Sequence, residues 1–340
     1  MKIDNHYLPK CHLKRWESSP KKVWVYSTLV SHENVPLWKE RDIKGIAYRK
    51  YLYTRIVPEG LSDEIETFFD KEYETPAEEA IQKVVSNARL TPSDWKTLIR
   101  FLAVQRVRTP ARLLELLQHW EKTFQNLLDN TLQEAAHQLE SAKAEGVSLQ
   151  EKKSLIPEYF PPVNVKIESD PVKKSAVLKA ETVTGRGMWI FAIRHLLKTA
   201  DVLHQHKWTV LSPPDGMRWF TSDDPVIQLN FHNQKYNFLG GWGSAGTEIL
   251  LPISPQHLLY TQIGNKRPPL RGTRISLDRA QMINRFIAEH AHRMIFASKP
   301  DTSVKQYRPR EVDSERFSDE ESQWKEWHNN QTNAERKLME

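Results

Sequence analysis

The feature that most constrains this chain is an amphipathic helix, spaced over Trp95 to Leu117, whose buried stripe turns polar in its middle. At 100° per residue, Trp95, Leu98, Phe101, Leu102, Leu113 and Leu116 share one face, the pattern of a helix laid on a core. Gln105, Thr109 and Arg112 fall on that same face. Burying such groups costs about 1–3 kcal/mol each unless partners meet them. A polar island in a core face is therefore either an internal hydrogen-bond network or the floor of a site. Pro110 sits inside the pattern, removes a main-chain donor, and kinks or interrupts the helix. Beyond Leu117 the periodicity continues to about Ala144 with rising polarity.

Several function classes are excluded early. Only 12 of 340 residues are glycine, no Gly-x-x-x-x-Gly-Lys-Ser/Thr pattern occurs, and the one Gly-x-Gly-x-x-Gly match, Gly241 to Gly246, lies in a polar stretch with no helix pattern behind it. The cluster Gly240-Gly241-Trp242-Gly243 reads as a loop. Cys11 is the single cysteine, which excludes an internal disulfide framework and a multi-cysteine zinc site and suits a reducing cytoplasm. The opening, with Lys2, Asp4, Asn5 and His6, is too polar for a signal peptide. The most apolar run, Met188 to Ile193, is far too short for a membrane span. The expected setting is cytoplasmic, with no membrane partner.

Charge is unevenly spread. The net value is +6, but the last segment, Arg310 to Glu340, carries a local −4, which leaves +10 on the first 309 residues. A basic body with an acidic tail suits a phosphate-bearing partner such as RNA or DNA. Ordinary surface lysine is the plainer reading.

The order of elements gives the fold class. Pro9 opens a short helix, Lys22 to Thr28 alternates as a strand, and Tyr48 to Ile56 is extended. A helix begins at Ser62 and is expected to end at Pro76, with a second run over Ala77 to Val85. Thr91-Pro92 caps the central helix. A loop holds Pro157, Pro161 and Pro162, and a helix is expected from about Val172 to Val202. Short β-type runs follow: Trp208 to Leu211, Met217 to Phe220, Val226 to Leu229, Glu248 to Leu251 and Leu258 to Tyr260. Asp278 to Glu289 is a last helix and Met294 to Ala297 a last strand. Helices followed by strands predict α+β: a helical layer, with its long central helix, packed on a C-terminal, mostly antiparallel sheet. Residues 1–309 are expected to form one domain and 310–340 a charged, flexible tail, with Trp324 and Trp327 as docking hints for a protein partner.

Four short stretches stand out: His6-Tyr7-Leu8-Pro9, Gln105 to Pro110, Phe220 to Val226, and Asn284 with Arg293. Together with Leu13, Trp16, Tyr53-Thr54 and Pro252-Ile253-Ser254-Pro255, they resemble the bacterial domain-of-unknown-function family 4238. The likeness runs in order over about residues 5–298, and its motifs are specific as a set. Asp224 stands where many members of that family have asparagine, so no role is rested on it. The resemblance implies no established reaction.

The residues themselves suggest chemistry. His6 offers an imidazole that titrates near neutrality and Tyr7 a phenol, a pair suited to metal-free proton transfer; the plainer reading is a buried anchor. Asp223 would orient His6 or a water, or close an Asx turn, the commonest use of Ser-Asp-x-Pro. With Asp224 and Glu248 it would offer carboxylates to a divalent metal, although no cofactor is expected: Glu248 is followed by Ile249 and Leu250, not by a lysine two residues on. Arg106, Arg108 and Arg112 would grip phosphate, with Lys10, Thr221 and Asn284 as further binding candidates. Cys11 is a weak nucleophile candidate, and the pairs His204/His206 and His290/His292 read as solvated helix ends.

The leading expectation is a nucleic-acid-directed enzyme, a ribonuclease or toxin-like effector of bacterial antiviral defence, with His6, Tyr7, Gln105 and Asp223 in catalysis. The competing expectation is a non-catalytic module that senses nucleic acid or protein, with the same polar residues serving as architecture and tryptophan-rich loops stacking on a single strand. A closed, fully paired polar cluster would favour the module.

Overall fold

The computed structural model describes residues 2–57, 60–145, 163–170, 175–265 and 267–339. Among them the α-helices are α1 (Lys10–Leu13), α2 (Glu64–Phe69), α3 (Thr75–Val85), α4 (Pro92–Val107), α5 (Pro110–Ala144), α6 (Arg186–Thr199), α7 (Leu277–His290), α8 (Val304–Tyr307) and α9 (Ser314–Met339).

The largest sheet has six strands in the order Lys235–Asn237, Ile227–His232, Glu248–Ser254, His257–Gln262, Trp208–Ser212, Thr273–Arg274. Every pairing is antiparallel except the last, which is parallel. Its central strand, Glu-Ile-Leu-Leu-Pro-Ile-Ser, is buried along its whole length. Alternation divides its side chains between two cores. Ile249, Leu251 and Ile253 face α3 and α4, where Ala80, Val84, Leu98, Phe101 and Leu102 pack. Leu250 joins Leu211, Leu258 and Ile227 against Ala280, Ile283 and Ile287 of α7. A second sheet, Thr221–Ser222, Met294–Ala297, Lys22–Ser27 and Lys39–Asp42, brings the chain's beginning beside its end. The fold is α+β, as the order of elements predicts.

The central helix is two helices. Thr91 starts α4 with a full capping box to Asp94, and α4 stops at Val107. Pro110 then opens α5, where a missing N–H costs nothing. The carbonyls freed at the break are met from far away: Trp189 Nε1 donates to Val107 O at 3.3 Å and Tyr53 Oη to Arg108 O at 2.6 Å. The N-terminal motif packs on this joint, with Tyr7, Leu8, Leu13 and Trp16 beside Val104, Val107 and Leu113.

Four expectations are corrected. Pro76 does not end a helix; it lies in the first turn of α3, which continues from α2 through a wide turn at Asp70–Glu74. The run expected to be helical from Val172 is instead a strand, Ser175–Thr182, paired along its length with Val163–Asp170, and α6 starts only at Arg186. Residues 171–174, and Pro157, Pro161 and Pro162, lie outside the described residues. Met217 to Phe220 is a loop; Asn284 Nδ2 donates to Arg218 O at 2.8 Å while its Oδ1 accepts from Phe220 N at 3.2 Å.

The last correction is the tail, which is helix α9 docked on the body. Arg186, fully buried, donates to Glu335 through Nε at 3.1 Å and Nη2 at 2.5 Å, and Gln331 Oε1 accepts from Arg186 N at 2.8 Å. Tyr51 stacks on His328 at 4.1 Å, and Trp324 and Trp327 pack against the core. The two tryptophans serve this docking. A buried arginine needs a fixed counter-ion, and Glu335 supplies it.

Candidate functional site

The polar middle of the central helices is a buried network, closed around Arg108, Thr109 and Arg112 but not at Gln105. Arg108 is fully buried: Nη1 donates to Glu74 Oε1 at 2.6 Å, Nη2 donates to His6 O, and its guanidinium lies 4.7 Å from the Phe69 ring centre. It holds the fold and is not presented to a phosphate. Thr109 Oγ1 donates to Asp224 Oδ1 at 3.2 Å, and Arg112 Nη2 to Asp224 Oδ2 at 2.7 Å. Arg112 Nη2 also reaches His290 Nε2 at 2.9 Å, while His290 Nδ1 donates to Asp224 O at 3.0 Å. Arg106 Nε donates to Gln228 Oε1 at 2.9 Å.

Asp223 belongs to the same architecture. Its Oδ1 accepts from His292 N at 2.9 Å and its Oδ2 from Arg293 N at 2.8 Å, so both oxygens fix the turn after α7. Burial pushes its carboxyl up to about 6. It does not orient His6, whose Nε2 bonds Lys44 O at 3.3 Å. Thr221 Oγ1 meets buried His12 Nε2 at 3.1 Å, and Asn284 is spent on the Arg218–Phe220 loop. Gln105 is fully buried, and among the described residues neither end of its amide has a partner. The three carboxylates considered for a metal are committed separately: Glu248 accepts from Tyr236 Oη at 3.1 Å and pairs with Arg279. Among the described residues no three His, Cys, Asp or Glu side chains converge as a metal set. His206 Nε2 is taken by Trp242 O at 2.9 Å.

Two open features flank this network, and the His-Tyr pair is divided between them. His6 and Lys10 line a cavity of about 440 Å³ together with Cys11, Glu66, Glu74 and Glu78. Desolvation, reinforced by Lys10, pushes the His6 imidazole down to about 4, so it is neutral at pH 7. Burial pushes the Glu66 carboxyl up to about 7 and the Cys11 thiol up to about 12, which removes Cys11 as a nucleophile. Sequence reasoning missed Glu66. On a helix beginning Glu-Ile-Glu it has the look of a solvated charge.

Tyr7 lines the other feature, a groove of about 930 Å³ between the strand Tyr48–Lys50 and α9. Its backbone N–H donates to Ala47 O at 3.1 Å, and burial pushes its phenol well above the usual range. Arg41, Arg49, Lys50, Arg293 and Lys325 line the groove, beside the rings of Tyr48, Tyr51 and Trp324. Two of these cations are answered by α9. Arg293 makes a two-pronged pair with Glu320, with Nε to Oε2 at 2.7 Å, and Arg49 meets Glu321 at 3.5 Å while lying 5.0 Å from the Trp324 ring centre. Tyr48 to Ile56, expected to be extended throughout, is a strand over Tyr48–Lys50, turns at Tyr51 and is strand again only from Arg55. Its basic, aromatic face has no sequence motif of its own.

The family model described as a protein of unknown function, DUF4238, matches residues 4–301. No curated protein and no solved structure matches the chain. The matched span holds the buried network, the acidic cavity and the basic wall of the groove, and it stops before α9.

Proposed function

We infer from its groove that this chain, which belongs to the domain-of-unknown-function family 4238, binds single-stranded nucleic acid, RNA before DNA, in the cytoplasm. One observation carries the reading: five Lys/Arg side chains and five aromatic rings, those of Tyr7, Tyr48, Tyr51, Phe317 and Trp324, line one groove of about 930 Å³. Cations that follow a phosphate backbone beside rings on which bases stack are the recurring solution for single strands. RNA takes precedence because its unpaired bases are commonly read by such stacking. The +10 charge of the first 309 residues adds long-range attraction.

The pairing of Arg108 with Glu74, and of Thr109 and Arg112 with Asp224, favours a binding module over catalysis at the central helix, although Gln105 stays unpaired there among the described residues. A nuclease or toxin-like effector in bacterial antiviral defence is the second reading, and one observation favours it. Neutral His6 and a Glu66 carboxyl near 7 share a cavity, as an acid–base pair would. That cavity is acidic, which suits a phosphodiester poorly.

Fluorescence anisotropy with a labelled oligouridine tests the proposal. Binding is expected at low salt, with log K falling linearly against log salt by about 0.7 per phosphate neutralised. No binding at 50 mM salt, or binding indifferent to salt, sinks it. Cleavage of the oligonucleotide that is lost in His6→Ala and Glu66→Gln would move the conclusion to the second reading.

A further inference from the structure

The cavity beside His6 has a chemistry the groove does not share. Its lining includes five carboxyl side chains, Asp4, Glu66, Asp70, Glu74 and Glu78, against two ammonium groups, Lys2 and Lys10. Two of the carboxylates are already answered. Asp70 accepts from Lys2 Nζ at 3.3 Å and from Thr75 Oγ1 at 3.1 Å, and Glu74 accepts from buried Arg108 at 2.6 Å. Glu66 is different. It is only 8% exposed, and among the described residues no donor meets its Oε2. A buried acceptor without a donor costs about 1–3 kcal/mol, more if charged, so a ligand that brings a cationic donor has a specific place to be.

We propose that this cavity binds a small organic cation, a primary amine or guanidine, with the Glu66 carboxylate as its counter-ion. The volume, about 440 Å³, falls within the range usual for small-molecule sites. His6 lines the wall as a neutral imidazole, its Nε2 bonded to Lys44 O. A metal ion fits less well, because no set of three ligating side chains converges here among the described residues. The site is independent of the groove, whose basic lining would repel such a ligand.

Binding has a proton signature. Desolvation holds the Glu66 carboxyl near 7, so a large part of the population carries a proton there at neutral pH. A bound ammonium stabilises the ionised form and expels that proton. Calorimetric titration of the full chain at pH 7 with putrescine, agmatine and spermidine therefore gives a heat that varies with the ionisation enthalpy of the buffer. Glu66→Gln is expected to weaken binding at least tenfold and to abolish the buffer dependence, while its melting curve confirms folding. Lys10→Glu, at the exposed rim, is expected to tighten binding severalfold and covers the case in which Glu66→Gln does not fold. Lys50→Ala, in the groove, leaves amine binding unchanged whether or not the groove binds RNA. No heat from any of the three amines overturns the proposal. So does binding that survives Glu66→Gln and disappears with moderate salt, the mark of amines condensing on the acidic surface.

Discussion

Arg108 and Arg49 have the same companions at two depths, and the contrast separates architecture from site. Each guanidinium lies about 5 Å from an aromatic ring, Phe69 for Arg108 and Trp324 for Arg49, and each has a glutamate partner. Arg108 is sealed, its side chain 0% exposed, with its carboxylate at 2.6 Å. Arg49 is 25% exposed, with Glu321 at 3.5 Å. In the interior a broken pair leaves an uncompensated charge; at the rim, water and salt replace the partner at little cost. The buried set can only hold the fold. The rim set can exchange its carboxylate for a phosphate.

The largest effect should come from breaking the sealed set. Arg108→Met strands Glu74 and the carbonyl of His6, and should cost about 3–5 kcal/mol of stability in a denaturant melt. A loss below about 1 kcal/mol would mean the two arginines are not different in kind. Arg49→Ala with Lys50→Ala is the matching test at the rim. Oligouridine affinity should fall about tenfold, equivalent to about 1.4 kcal/mol, with a shallower salt slope and stability held to within about 0.5 kcal/mol. A smaller change, of opposite sign, is expected from Glu320→Gln with Glu321→Gln. Freeing Arg293 and Arg49 from α9 should tighten RNA binding severalfold, most clearly at low salt; weaker binding would show that α9 builds the groove rather than competes for it.

The smallest effect is a pH difference. Glu66 sits in the field of Arg108 without a bond to it, and burial raises its carboxyl from 4.5 to about 7. A carboxyl whose folded value lies above its unfolded one favours the folded state at low pH, and that advantage is lost as pH rises from about 4.5 through about 7. Glu66→Gln should therefore melt higher than the parent at pH 8 and nearly with it at pH 5. Equal differences at both pH values would argue that the carboxyl is ionised throughout.

Much of the frame was readable from residues alone. Thr91-Pro92 announced the start of α4, Pro110 announced the break, and the β-type runs after Trp208 announced the sheet, because caps, prolines and alternation are local signals. What failed was non-local. Ser175–Thr182 contains Leu178, Lys179, Ala180 and Glu181, good helix formers, and its strand partner lies upstream in Val163–Asp170. The polar island was correctly located, but its partners decide what it is. Asp223 and Asp224 are spent on backbone amides, Arg112 and Thr109, none of which a motif discloses. Glu66 escaped for a related reason: the acids and lysines that make its surroundings a cavity come from residues 2–11 and from the turn and helix after Phe69.

The break between α4 and α5 bears on the order in which the molecule assembles. With its capping box and local bonds, α4 can form early from its own sixteen residues. The joint cannot. The donors that satisfy its loose carbonyls sit at Tyr53 and Trp189, more than fifty residues away on either side. Closing chain loops of that size loses entropy before any bond is gained. The two halves of the central helix are thus free to swing until the N-terminal third and α6 have both arrived. The angle between them, and with it the register of everything packed on α5, is decided late in folding by two aromatic side chains.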